Sequence, residues 1–234
     1  MQTTEKAYKV TYKTYYNDRL KKSFFHNKLM LPLYVQVIFD RIPIIFKSYY
    51  YDLFSKPKYA IRVAGQVYAP DIKEIIKKEE TLIEYIIDKN LKSFSLNLFK
   101  KEYAFYSRDL LDITEEGFSN YLHTFFQDEG MPVIADTFKA GASDFKQYDL
   151  VQDLKRSLIP TLYKKLLENS FFYAPPYLPL CAFTLKSQRT PLTSLTVLEW
   201  EQPITQQRFA DFFRVRYPDK NVAQILEEIK KWAS

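Results

Sequence analysis

The sequence feature that most constrains the fold is a pair of alternating apolar runs near the amino terminus. In residues 33–39 large apolar side chains occupy every second position, which is the period of a strand that buries one face. Asp40 and Arg41 interrupt this run, and a second alternating run occupies residues 42–49. Two such runs around a short polar pair predict a β-hairpin of unspecified turn type. Pro43 cannot donate to a ladder, so it places the second strand at an edge or makes its start irregular.

The rest of the chain divides by its hydrophobic period. Further strands are predicted over three short runs: residues 7–16, 20–25 and 59–67. From Asp71 onward the period changes from two to 3.6 residues, which is typical of amphipathic helices. The sequence therefore predicts an α+β protein with a small antiparallel β-rich part followed by a mainly α-helical body. The predicted domains are a basic β-rich head, residues 1–69, and the body, residues 70–234.

Within the body, the predicted elements are helices joined by breaks. Helices are expected from Asp71 to about residue 89, from about residues 95 and 114, over 150–166 with an interruption or a kink at Pro160, and near the carboxyl end. Residues 171–192 hold four of the twelve prolines together with many apolar side chains. This composition predicts a Pro-rich loop packed on the body. Residues 195–200 predict a short strand.

The residue types available exclude most enzyme classes. Cys181 is the one cysteine, so the chain has no internal disulfide framework and no cysteine-based zinc site. His26 and His123 are the two histidines, and the four glycines have no phosphate-loop spacing. Asp219, Glu228 and Lys230 have the residue types of a metal nuclease, but their positions suit a helix cap and the polar face of a helix. The sequence predicts no catalysis, no catalytic residues, no metal and no cofactor.

Charge is distributed unevenly along the chain. Residues 1–65 contain 12 Lys/Arg and 4 Asp/Glu, whereas the remaining residues contain 22 and 24. A basic head on a slightly acidic body is typical of a protein that binds a polyanion, although a solvated basic surface would have the same composition. The sequence has no 18-residue apolar run and its first residues have no signal-peptide core, so we predict a cytoplasmic protein without a membrane segment.

These observations favour a non-catalytic DNA-binding protein whose basic hairpin contacts duplex DNA. The candidate nucleic-acid-binding residues are Lys9, Lys13, Lys21, Lys22, Gln36, Arg41 and Lys47. Lysine contacts would be mainly to phosphate, and Arg41 or Gln36 would give sequence preference, because their side chains pair with guanine and adenine edges respectively.

The head also resembles a known family. Residues 32–35, Pro-Leu-Tyr-Val, are similar to a Pro-Leu-Tyr-Val-Arg-Ile phrase in the amino-terminal arm-type DNA-binding region of tyrosine recombinases (integrases) of mobile elements. In that family a small three-stranded sheet binds DNA and a helical core-binding domain follows. The resemblance covers residues 8–90 and implies DNA binding by the head. Gln36 stands where the family has a basic residue, and the turn lacks its glycine.

The family's catalytic residues are not carried over. The His-x-x-Arg pattern is missing, because His123 is followed by Thr, Phe and Phe. An adaptor or assembly subunit of a larger complex is the alternative function. In that case the aromatic surface and the 171–192 loop would hold a protein partner or another copy of the chain. The sequence leaves DNA, RNA and protein open as the partner.

Overall fold

The computed structural model describes residues 9–63, 65–187 and 192–234. Strands occur in the amino-terminal part and helices dominate the remainder of the chain, so the predicted α+β class is confirmed. The strands are β1 (Thr11–Tyr16), β2 (Ser23–Phe25), β3 (Lys28–Met30), β4 (Leu33–Phe39), β5 (Ile42–Lys47), β6 (Ile61–Val63) and β7 (Gln66–Tyr68). The main sheet is antiparallel, with β4 between β1 and β5, and the other four strands form two small hairpins.

The predicted hairpin is the β4–β5 pair. Phe39 pairs with Ile42, which leaves Asp40 and Arg41 as a two-residue turn. Both turn residues have positive φ, 48° and 66°, as a type I′ turn requires. Pro43 lies on β5, an edge strand, as predicted from its missing N–H.

The helices begin within residues 49–55 and occupy most of the chain from residue 72 onward. They are α1 (Tyr49–Ser55), α2 (Ile72–Lys89), α3 (Leu96–Tyr106), α4 (Leu110–Asp128), α5 (Pro132–Ala140), α6 (Gln147–Ser157), α7 (Pro160–Tyr173), α8 (Tyr177–Ser187), α9 (Val197–Trp200), α10 (Pro203–Arg216) and α11 (Val222–Ala233). In the described residues no helix combines the length and apolar character that a bilayer span needs. Asp71 caps α2 by accepting a hydrogen bond from the Lys73 N–H, 2.9 Å away, which explains why this helix begins where the sequence predicts.

The chain divides into two compact units. The first consists of Met1–Ser55 and Ala60–Ser107, and the second of Lys56–Tyr59 and Arg108–Ser234. Strands give way to the long helix α2 near Pro70, but the first unit extends past this position to include α2 and α3. The physical reason is packing, since α2 contacts β1, α1 and α3 within this unit. The 1–69 head therefore contains the strands and α1 but lacks α2 and α3, which also pack in this unit.

The inner face of the main sheet forms the core of the first unit. Leu33, Val35 and Val37 of β4 are buried there. On β5, the Phe46 ring meets the Tyr103 ring of α3 edge-on, with centroids 4.7 Å apart. Packing of helices against this face removes large apolar side chains from water, which is the main stabilising contribution to the unit.

A buried carboxylate lies among these apolar side chains. Glu79 of α2 has no exposed surface, and it accepts hydrogen bonds from the Ser48 and Tyr103 hydroxyl groups. Burial raises the pKa of Glu79 above its usual value, and the two hydroxyl groups offset part of that rise. The Tyr103 oxygen in turn accepts a hydrogen bond from the Tyr49 N–H at 3.1 Å. One side chain thus connects the start of α1, α2 and α3.

In the second unit, α4 is the central helix and also carries a buried glutamate. Glu115 accepts hydrogen bonds from the Tyr177 hydroxyl at 2.6 Å and the Gln147 N–H at 2.8 Å. The Lys58 ammonium lies 2.5 Å from the same carboxylate and 2.8 Å from Asp112. Burial alone would raise the pKa of Asp112, but the ammonium groups of Lys58 and Lys56 together outweigh burial and lower that pKa.

Two sequence predictions for the body were wrong. The Pro-rich segment 171–192 is not a loop: it holds the end of α7 and the whole of α8, while residues 188–191 lie outside the described part. Pro179 is the third residue of α8, where the N–H has no partner within the helix, so the ring does not break it. Residues 195–200 contain the short helix α9 instead of a strand. The interruption predicted at Pro160 is confirmed, because α6 ends at Ser157 and α7 begins at Pro160.

We expect Glu79→Gln to change how the stability of the first unit depends on pH. Because the native state holds the Glu79 proton to a higher pH than the unfolded chain, the free energy of unfolding should fall as pH rises from about 4.5 through the native pKa. Each unit of pKa difference corresponds to about 1.4 kcal/mol. Glutamine does not titrate, so this part of the decline should disappear.

Urea unfolding at several pH values, followed by the nuclear magnetic resonance signals of the β4 amides, measures the effect in the first unit. Tryptophan fluorescence is unsuitable because Trp200 and Trp232 both lie in the second unit. Asp88→Asn, an exposed change on the same helix, is the matched control. An equal decline with pH in the wild type and Glu79→Gln would contradict the assignment.

Candidate nucleic-acid interface

The pairing register of the main sheet determines which side chains share its outer face. Residues paired directly across an antiparallel ladder lie on the same face. Three rows of side chains cross β1, β4 and β5 on the face opposite the buried valines: Lys13, Gln36 and Ile45; Tyr15, Tyr34 and Lys47; Thr11, Ile38 and Pro43. The structure therefore brings three of the seven predicted binding residues onto one surface, which we call the outer face.

The side chains of the outer face are more exposed to solvent than those of the inner face. Val35 and Val37 have no exposed surface, whereas Gln36 between them is partly exposed. On β5, Ile45 is 55% exposed. This alternation along β4 is the predicted pattern of a strand with one buried face.

Two lysines lie on the two edge strands of the outer face. Lys13 of β1 places its ammonium 4.9 Å from the centre of the Tyr15 ring, a cation–π contact on the same strand. Lys47 of β5 makes an ion pair with Asp52 of α1, and both side chains are exposed. Such an exposed pair contributes little stability, so a competing phosphate can replace the carboxylate.

The other four predicted residues lie beyond the ends of the strands. Lys9 precedes β1 at the end of the sheet where the Asp40–Arg41 turn also lies, since Thr11 pairs with Ile38. Lys21 and Lys22 both precede β2, at the opposite end of the sheet. All four side chains, Lys9, Lys21, Lys22 and Arg41, are exposed.

Several aromatic residues of the head belong to the core instead of the outer face. Tyr50 and Tyr51 are buried in α1. Tyr12 lies on the inner face and donates a hydrogen bond to Glu84 at 2.6 Å; burial and this carboxylate raise its pKa to about 12. Only Tyr15 and Tyr34 of the tyrosines in β1 and β4 share the outer face with the lysines. Strand alternation alone could have separated Tyr12 on the inner face from Tyr15 on the outer face.

The second unit has a polar cleft of about 380 Å³ whose charges are already matched. Lys56 and Lys58 line it beside Asp112 and Glu115, and both lysines contact the acids across it. Such a cleft has no net field of one sign. Of the residues considered for a nuclease, Asp219 is exposed before α11, and no group of three potential metal-binding side chains occurs in the described ranges.

No family model, curated protein or solved structure matches the chain. The resemblance of residues 8–90 to the arm-type region of tyrosine recombinases therefore stays a prediction from the sequence.

We expect Arg41→Gly to stabilise the first unit. Arg41 has a φ of 66°, which costs an ordinary side chain roughly 1–2 kcal/mol and costs glycine nothing. After the larger entropy loss of glycine, the net gain should be about 1 kcal/mol. Native-state hydrogen exchange of the β4 amides should then slow about fivefold.

Arg41→Ala is the matched control, because it removes the same charge but keeps a side chain at positive φ. It should give no such protection. Equal protection in both variants would show that charge, and not backbone conformation, limits stability at this turn.

Proposed function

We propose that this chain is a non-catalytic protein that binds duplex DNA through the outer face of its three-stranded sheet. The observation that supports this most directly is the register: Lys13 and Lys47 lie on the two edge strands, and Gln36 lies on the central strand between them. This is the arrangement that a groove requires, with cations toward the two phosphate backbones and a hydrogen-bonding side chain toward the base edges.

The dimensions of the sheet are compatible with the major groove. Neighbouring strands lie about 4.8 Å apart, so the axes of β1 and β5 are separated by roughly 10 Å. The major groove of B-DNA is about 12 Å wide, and several protein families insert strands into a groove. The side chains of the outer face would then reach base edges and phosphates together.

Each predicted residue has a distinct role in this arrangement. Gln36 can make two hydrogen bonds to an adenine edge, and Arg41 at the turn can do so with guanine. Lys13 and Lys47 would contact phosphates on either side, whereas Lys9, Lys21 and Lys22 would extend the positive field beyond the ends of the strands. We infer a cytoplasmic location, where a protein of this kind has access to DNA in cells without a nucleus.

An adaptor function is the second candidate. Phe172 and Tyr173, which end α7 within the segment predicted to hold a partner, are 70% and 76% exposed. Large exposed aromatic side chains are enriched at protein interfaces. Copurification of a stoichiometric protein, lost in Phe172→Ala and without affinity for DNA, would favour this function.

We expect Lys13→Ala and Lys47→Ala each to weaken duplex binding and to reduce its dependence on salt. A lysine bound to phosphate releases a counterion, so each change should lower the slope of log K against log salt by about one. Fluorescence anisotropy of a labelled duplex, titrated with the full chain at about 50–200 mM salt, measures the slope. The full chain is needed because a 1–69 fragment lacks α2 and α3.

Three controls sharpen this experiment. Lys164→Ala, in α7, removes an exposed lysine of the second unit and should leave the slope unchanged. Asp52→Asn removes the carboxylate paired with Lys47 and should strengthen binding. A-form RNA duplexes have a deep, narrow major groove that excludes a sheet, so they should bind more weakly than DNA. Failure to bind DNA at about 50 mM salt, or equal binding to duplex RNA, would refute the proposal.

A further inference from the structure

The small hairpin formed by β2 and β3 projects a pair of apolar side chains into solvent. Phe24 and Leu29 are directly paired across the two strands, so they lie side by side on one face. Phe24 is 72% exposed and Leu29 is 57% exposed. Exposed apolar side chains are common singly, but a pair on a short hairpin presents a compact apolar tip.

The opposite face of the same hairpin is firmly anchored in the first unit. Phe25 has no exposed surface, and its ring stacks on the Tyr51 ring with centroids 5.1 Å apart. His26, at the turn, donates from Nε2 to the Phe54 carbonyl oxygen at 2.6 Å. Asn27 donates to the Val67 carbonyl oxygen at 3.3 Å. The apolar pair is therefore held in place by the fold and does not depend on a flexible loop.

The surroundings of the apolar pair are strongly basic. Residues 19–30 contain four basic side chains and no acidic one: Arg19, Lys21, Lys22 and Lys28. Exposed Lys22 directly precedes β2, two residues before Phe24, and exposed Lys28 precedes Leu29 in β3 but is paired with Phe25 on the other face of the hairpin. An apolar tip flanked by cations matches a ligand that has a polyanionic surface and an apolar interior.

The hairpin also continues from the sheet that carries the outer face. The chain leaves β1 after Tyr16 and returns to β4 at Leu33, two residues that are paired with each other. Just beyond this pair, the Asn17 N–H donates to the Pro32 carbonyl oxygen at 2.9 Å. The β2–β3 hairpin thus extends from one end of the outer face, at the opposite end from Arg41.

We propose that Phe24 and Leu29 form a wedge that enters the minor groove of duplex DNA and partly unstacks one base step, bending the duplex. This inference rests on the proposed binding of duplex DNA by the outer face. Apolar wedges of this kind unstack base steps and bend duplexes by about 20–90°. The neighbouring lysines would contact the phosphates that flank the opened base step. Two side chains are a small apolar area for a bilayer, which makes the base stack the better matched ligand.

Bending is measured by energy transfer between dyes at the two ends of a duplex of about 30 base pairs, mixed with the full chain. Wild-type protein should shorten the distance between the ends. Phe24→Ala and Leu29→Ala should leave it near that of free DNA while keeping the salt slope of binding. In a parallel assay, 2-aminopurine placed along the duplex should brighten with wild-type protein and remain dim with either variant.

Matched variants separate the wedge from general effects. Leu91→Ala removes a leucine of the first unit that is 69% exposed, and it should bend DNA as the wild type does. Because Phe24 and Leu29 are exposed, both variants should unfold at the wild-type temperature. Lys13→Ala should weaken binding but still bend the DNA that it holds at saturation.

The outcomes distinguish the wedge from the DNA-binding proposal itself. Binding with the expected salt slope but no bending would overturn the wedge and leave the outer-face proposal intact. Absence of any binding at about 50 mM salt would overturn both. Bending that persists in Phe24→Ala and Leu29→Ala would also overturn the wedge. Sedimentation with anionic phospholipid vesicles that Phe24→Ala abolishes, together with unbent DNA, would assign the pair to a lipid surface instead.

Discussion

The structure of the first unit depends on the buried carboxylate of Glu79. An uncompensated charge in an apolar core is costly, so Glu79 is tolerated only while the Ser48 and Tyr103 hydroxyl groups donate to it. Those partners belong to the start of α1 and to α3, and satisfying one carboxylate therefore fixes how three helices are arranged on the sheet. Because these helices cover the inner face, the register assigns the opposite side of β4 to the outer face.

The second unit also contains a buried glutamate whose carboxylate is bound by polar partners. Glu115 of α4 is buried against Tyr177 and Lys58, as Glu79 is buried against Tyr103 and Ser48. Replacing such groups by apolar residues is often neutral for stability, whereas removing one partner and leaving a buried group unsatisfied is costly. Both glutamates occupy the apolar stripe of a long helix, four residues after Ile75 or Leu111. A glutamate within an apolar stripe therefore indicates a buried carboxylate, which hydrophobic periodicity alone does not reveal.

The sequence pattern predicted those parts of the fold that interactions between neighbouring residues determine. The alternation in 33–39 predicted the hairpin and the faces of its strands, and Asp71 predicted the start of α2, because neighbouring residues decide both. The boundary at Ser107 depends on packing between distant elements, which no local period records. The helix α8 was missed because a proline count ignores position, and Pro179 lies in the first turn. The exposed apolar pair on the β2–β3 hairpin could not be predicted, because its exposure becomes visible only after Phe25 is placed in the core.

Stability and the proposed binding surface are coupled through the register of the main sheet. A shift of one residue in the pairing of β4 would bring Gln36 into the core and Val35 into solvent, and a matching shift in β1 or β5 would do the same to Lys13 or Lys47. Burial of the valines therefore opposes any register that removes the polar side chains from the outer face. The I′ turn at Asp40 and Arg41 adds a second constraint, since it accepts no extra residue between the strands. The apolar core thus sets the spacing of the groups proposed to contact DNA, and those groups need no contacts among themselves to hold their positions.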